Sequence, residues 1–98
     1  MTSIVELIKN IERRPAMYIS KNYISCLKSF LDGWYLRDAS NINDINFISH
    51  FQDWIVKKYK IRTNHSWSDI ILFYSQDEAD ALKNFFKEFN EFLEQTNK

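Results

Sequence analysis

Two histidine-centred groups in this chain hold the residue types that catalysis or metal binding would need. His50 and Asp53 stand three positions apart, so a helix would set both on one face as two ligands for a metal ion. No third ligand type lies near them, and a solvated or helix-packed histidine gives the same pattern. His65, Ser66 and Asp69 contain the types of a nucleophile triad, yet near neighbours in sequence rarely reach that in-line geometry. Cys26 is the only cysteine, which excludes an internal disulfide and any multi-cysteine metal site. Set among Ile24, Leu27 and Phe30, it reads as a buried thiol rather than a nucleophile. Lys57, Lys58, Lys60 and Arg62, with Tyr59 between them, could meet phosphates. Cations closing a helix are also what the helix dipole favours. The expectation is a non-enzyme with no cofactor, no metal and no direct nucleic-acid partner.

Charge layout says more than total charge. The chain carries 13 basic and 13 acidic residues, which disfavours unaided nucleic-acid binding. The balance is uneven along the chain: residues 1–30 hold a net +3 and residues 77–98 a net −3. Asp77, Asp80, Glu88 and Glu91 are spaced to line one face of a C-terminal helix. That face is either simply solvated or a docking surface for a basic partner, whose association complementary charge would speed. Aromatics beside it would serve as anchors, with Trp67 and Tyr74 the first candidates and Trp34 a third. The expected partner-binding set is Asp77, Asp80, Glu88, Glu91, Trp67 and Tyr74.

The elements that must position these residues read as helices. Ninety-eight residues make one domain, able to bury roughly 60–65% of its unfolded surface. One Gly and one Pro leave few sharp turns, which argues against a many-stranded sandwich or barrel. Ser3-Ile4-Val5-Glu6 reads as a capping box, followed by Ile4, Leu7, Ile8 and Ile11 at helical spacing. Pro15 ends this helix, and Met17, Tyr18 and Ile19 should pack it against the next. Ser20 or Asn22 can start the second helix, striped by Ile24, Leu27, Phe30, Leu31 and Trp34. Gly33 within it suggests close packing. Residues 38 to 44 form the loop-like stretch. Phe47, Phe51, Trp54, Ile55 and Tyr59 mark a third helix. Ser66 caps a short run, Ile70 to Tyr74, whose period allows helix or strand and whose cap favours helix. Ser75-Gln76-Asp77-Glu78 reads as a further capping box. It leads into the stripe Leu82, Phe85, Phe86, Phe89, Phe92 and Leu93, with Asp77, Asp80, Asn84, Glu88 and Glu91 opposite. The predicted fold is all-α, a single compact domain of about five helices over residues 1–98. No segment resembles a signal peptide or a membrane span, so a soluble, cytoplasmic protein is expected.

Arg14-Pro15-Ala16-Met17-Tyr18-Ile19 resembles the R-P-G-M-Y-I-G segment of gyrase-type ATPase subunits. The rest of the chain departs from that pattern. The helix after it lacks the Glu and Asn that handle water and magnesium there, and one Gly cannot build phosphate cradles. A fuller resemblance runs through Arg14 to Ile19, Phe30-Leu31-Asp32-Gly33-Trp34, Phe51 to Val56, Asn64 to Phe73 and Asp77 to Phe86. In these stretches the chain resembles a family of small bacterial immunity proteins found beside polymorphic and contact-dependent-inhibition toxins. Ala16 and Ser20 stand where that pattern has glycines. The resemblance implies an inhibitor that binds and neutralises a cognate toxin domain, basic and commonly a nuclease. The alternative expectation is a small non-enzymatic adaptor or homodimer.

Overall fold

The computed structural model describes residues 3–37 and 39–96. Five α-helices follow in order: α1 (Ile4–Arg13), α2 (Ile24–Arg37), α3 (Phe47–Lys58), α4 (Trp67–Phe73) and α5 (Glu78–Thr96). Short 3-10 turns lie at Pro15–Met17 and Ala39–Asn41, and no strand forms among the described residues. The expected all-α architecture is the observed one, and the ambiguous run after Ser66 is helical. The radius of gyration is 13.0 Å, the value of a tightly folded chain of this length. No described helix is long and apolar enough to cross a membrane.

α5 is the longest helix and packs against α2, α3 and α4. Its Ala81, Leu82, Phe85, Phe89 and Phe92 are all buried. Opposite them, Phe51 of α3 touches the rings of Phe47, Trp54, Trp67, Phe85 and Phe92. Such offset and edge-on contacts add to the area these rings bury. α1 closes the side of this core with Ile4, Ile8 and Ile11, each fully buried.

Helix ends show where local sequence decides and where it does not. Ser3 does cap α1, its hydroxyl accepting from the Glu6 amide at 3.2 Å. Asp44, from the loop before α3, adds a second cap from outside the helix. Asp44 accepts from the Ile4 amide at 2.7 Å, the Val5 amide at 3.1 Å and the Ser3 hydroxyl at 2.9 Å. Asp38 lies outside the described residues, but the rest of the loop-like stretch is thus pinned, with Ile42 buried.

Neither Ser20 nor Asn22 caps α2. It starts at Ile24, and Glu78 from the start of α5 accepts the Ser25 amide at 3.0 Å. Gly33 is not a close-packing site: a Cβ there would meet nothing within 4 Å. Pro15 ends α1 by opening a 3-10 turn. Tyr18 lies edge-on to Phe30 and Ile19 is buried, yet Met17 is exposed rather than packed. Ser75 does not cap α5, because α4 ends just before it and its hydroxyl donates to the Ile71 carbonyl at 2.6 Å. Asp77 takes the capping role, accepting from the Asp80 amide at 2.8 Å, while Asp80 reaches back to the Gln76 amide at 2.9 Å.

Candidate protein-binding surface

The predicted site divides sharply once its side chains are placed. Glu88 belongs by expectation to the solvent face of α5, but its side chain is only 7% exposed. It lies between Phe85, Phe89 and Phe92 on the packed face. Its charge is met by Lys58 of α3, whose ammonium donates to both Glu88 oxygens at 2.9 and 2.8 Å and to Glu91 at 3.0 Å. The Tyr59 hydroxyl donates to Glu88 at 3.4 Å. The same ammonium sits 5.1 Å above the Trp54 ring, a favourable cation–π position.

Burial pulls the Lys58 ammonium down, but hydrogen bonds and charge from Glu88 and Glu91 overcome it. Its pKa lies above the ordinary lysine value. Burial, then the negative charge of Glu88, raise the Tyr59 phenol above its ordinary range. Glu88 and Glu91 are therefore occupied within the molecule. Lys58 is likewise withdrawn from the basic set considered for phosphates.

Trp67 is also not an exposed anchor. It is 3% exposed and packs on Phe51 and Phe85. Gln52 dictates this: its carbonyl oxygen accepts from the Trp67 amide at 2.5 Å and its amide donates to the His65 carbonyl at 2.8 Å. Gln52 thus steers the chain into α4. Ser66 spends its hydroxyl on the Asp69 amide and on Ser68, so the residues of the written triad serve the helix start. Among the described residues no three His, Cys, Asp or Glu side chains converge as a metal site, and His50 and Asp53 are both exposed.

Tyr74 is exposed, as expected of an anchor. Beside it stands Phe73, 80% exposed, which the helical pattern hides inside the apolar run from Ile70. A seven-residue helix can bury only one face. Trp67, Ile70 and Ile71 take that face, which leaves Phe73 on the outside. The two rings meet edge-on at 5.1 Å, and Tyr74 stacks on Tyr59 at 4.9 Å. They border a cavity of about 350 Å³ lined by Ile61, Thr63, His65, Asp69, Ile70 and the two rings.

The opposite wall begins at Lys60, whose φ of 54° turns the chain out of α3. The Ile61 amide then bonds back to the Val56 carbonyl at 3.0 Å, the six-to-one closure of a Schellman motif. Lys60 and Arg62 flank Ile61 in this wall, and Asp69 is the one acid in the lining. Asp77, although exposed, lies outside the lining and caps α5.

An exposed, edge-on aromatic pair over a mostly apolar hollow is how interface hot spots are built. Tyr59, itself held by Glu88, fixes Tyr74 before any partner arrives, which lowers the ordering cost of binding. Compared with known protein families, curated proteins and solved structures, the chain matches none.

Proposed function

We propose that this protein is an immunity protein: a non-enzymatic binder that neutralises a cognate toxin domain in the cytoplasm. The observation that carries a binding role is Phe73, left 80% exposed on a rigid helix beside the stacked Tyr74. Keeping such a ring in water forgoes about 2 kcal/mol of burial, a cost that a partner's surface would recover. Asp69, the one acid lining the hollow, gives a basic partner a charge to meet, and toxin nucleases are commonly basic. The assignment to toxin immunity rests on the resemblance set out above.

Docking then runs through Phe73 and Tyr74, with Asp69 contributing charge. Inhibition needs only that the bound protein cover the toxin's active site or its substrate path. The test is co-expression with the toxin domain encoded next to it, scoring growth and co-purification. Rescue and a 1:1 complex are expected, and F73A/Y74A should abolish both while the variant stays folded. Growth arrest that persists with the wild-type protein would reject the immunity reading. If the same rings instead join two copies, light scattering will show a mass that doubles with concentration and collapses in F73A/Y74A.

A further inference from the structure

The end of α1 and the turn after it form a second hollow, which shares no lining residue with the first. It measures about 400 Å³ and is lined by Asn10, Arg13, Arg14, Met17 and Tyr18. No carboxylate lines it. Neither arginine pairs with a carboxylate among the described residues, whose ion pairs involve only Lys28 and Lys58. Arg13 donates to the Asn10 side-chain oxygen, which turns the amide of Asn10 into a donor for anything entering the hollow. The polar lining therefore offers two guanidiniums, a carboxamide N–H₂ and the Tyr18 hydroxyl. Arg13 also borders an adjoining hollow with Glu6, Lys9 and Glu12, where Asn90 engages Glu12. Lys21 adds a further cation to the segment.

Cations at a helix C-terminus have an ordinary explanation in the helix dipole. The magnitudes decide against that as the whole account: the dipole amounts to about half a negative charge, whereas Arg13 and Arg14 bring two full positive ones. The last turn is already closed by the Arg14 amide on the Asn10 carbonyl at 3.0 Å. Both guanidiniums are exposed and remain available.

We propose that this hollow binds the phosphate group of a small phosphate monoester. Paired guanidiniums match a phosphate bidentately. Met17, 68% exposed, and the half-buried Tyr18 ring give the ester's organic portion an apolar contact. The site is separate from the Phe73–Tyr74 surface and does not depend on the partner proposed there.

The experiment is an NMR titration of the full chain at constant ionic strength, following the arginine side-chain Nε–H signals, with inorganic phosphate and phenyl phosphate as probes. Saturable shifts confined to Arg13 and Arg14 are expected, with phenyl phosphate the tighter of the two. R13Q and R14Q should each weaken binding about tenfold or more, the loss of a charge-assisted contact. Binding should strengthen as pH rises through about 6, where the monoester becomes dianionic. Both arginines are exposed, so the variants should keep the wild-type circular dichroism and melting curve. Shifts that grow linearly without saturating, or that survive both substitutions, would overturn the proposal. A short single-stranded oligonucleotide that displaces phenyl phosphate and binds far more tightly, with steep salt dependence, would overturn it in favour of a nucleic-acid contact.

Discussion

Two neighbouring regions meet at the stack of Tyr59 on Tyr74, and they invert the usual placement of charge and apolar surface. On one side, Glu88 is buried with Lys58 closing over it. On the other, Phe73 and Tyr74 stand in water. Charge that is hydrogen-bonded inside a molecule costs energy to redirect toward a partner, since a hydrogen bond made outside must replace one given up within. Exposed aromatic surface has no such prior commitment. A docking surface is therefore better sought among the unsatisfied apolar groups of this fold than among its most conspicuous acids.

The largest effect should come from breaking the inward-facing region. K58M leaves the Glu88 carboxylate buried without a cation. Because Lys58 itself is partly open to solvent, the lower end of the usual range applies, about 3 kcal/mol. Urea unfolding measures it, and K58M/E88L should recover most of the loss by replacing the pair with apolar groups. Equal stability of K58M and wild type would mean that water already satisfies Glu88.

Next come the two aromatics of α4. W67A should cost about 3–5 kcal/mol as a core truncation, while F73A should stay within about 0.5 kcal/mol of wild type. Affinity for the proposed partner should follow the reverse order per unit of stability lost, with F73A costing about 2 kcal/mol or more of binding. Similar unfolding costs for both would show that Phe73 belongs to the core.

pH offers a third way to separate the regions. The folded-state pKa values of Lys58 and Tyr59 both lie above their ordinary values. Each thus contributes stability that is fully present below its unfolded pKa and is lost as pH rises through the folded one. Stability should fall on the alkaline side above about pH 10. E88Q removes one anion that raises both groups, while burial still raises Tyr59 and Glu91 still raises Lys58. It should therefore make this decline shallower without abolishing it. Thermal melts of the two proteins from about pH 8 to about pH 11, a range that brackets both titrations, give the comparison.

The smallest effects concern backbone. Gly33 sits mid-helix with open space around its Cβ position, so G33A should stabilise by about 1 kcal/mol. Lys60 holds a left-handed conformation, φ 54°, so K60G should stabilise by about 0.5–1 kcal/mol. Tm shifts of opposite sign would mean that neither backbone reading holds.

Much of the helix pattern was legible because it depends on nearby residues. The Ser3 and Ser66 caps, the stop at Pro15 and the aromatic stripes of α3 and α5 all follow from spacings of three and four. Gln52, Asp44 and Glu78 were not legible. Each serves a helix start that is distant in sequence, and nothing local distinguishes such a residue from a solvated polar one. Glu88 is a different case. It falls three after Phe85 and four before Phe92, within the apolar stripe, so the period itself placed it inward. Its charge argued the other way, and only the fold supplies the lysine that reconciles the two. Phe73 was hidden for the opposite reason: a short apolar run does not reveal which of its members faces out.

The grip of Asp44 on the start of α1 has a spectroscopic consequence. First-turn amides of a helix ordinarily exchange with solvent quickly, since they lack partners within the helix. The Ile4 and Val5 amides instead bond to a side chain 40 and 39 residues away. Their exchange rates consequently register the loosening of the α2–α3 loop rather than the fraying of α1, so two signals near the beginning of the chain act as a gauge for a loop in its middle.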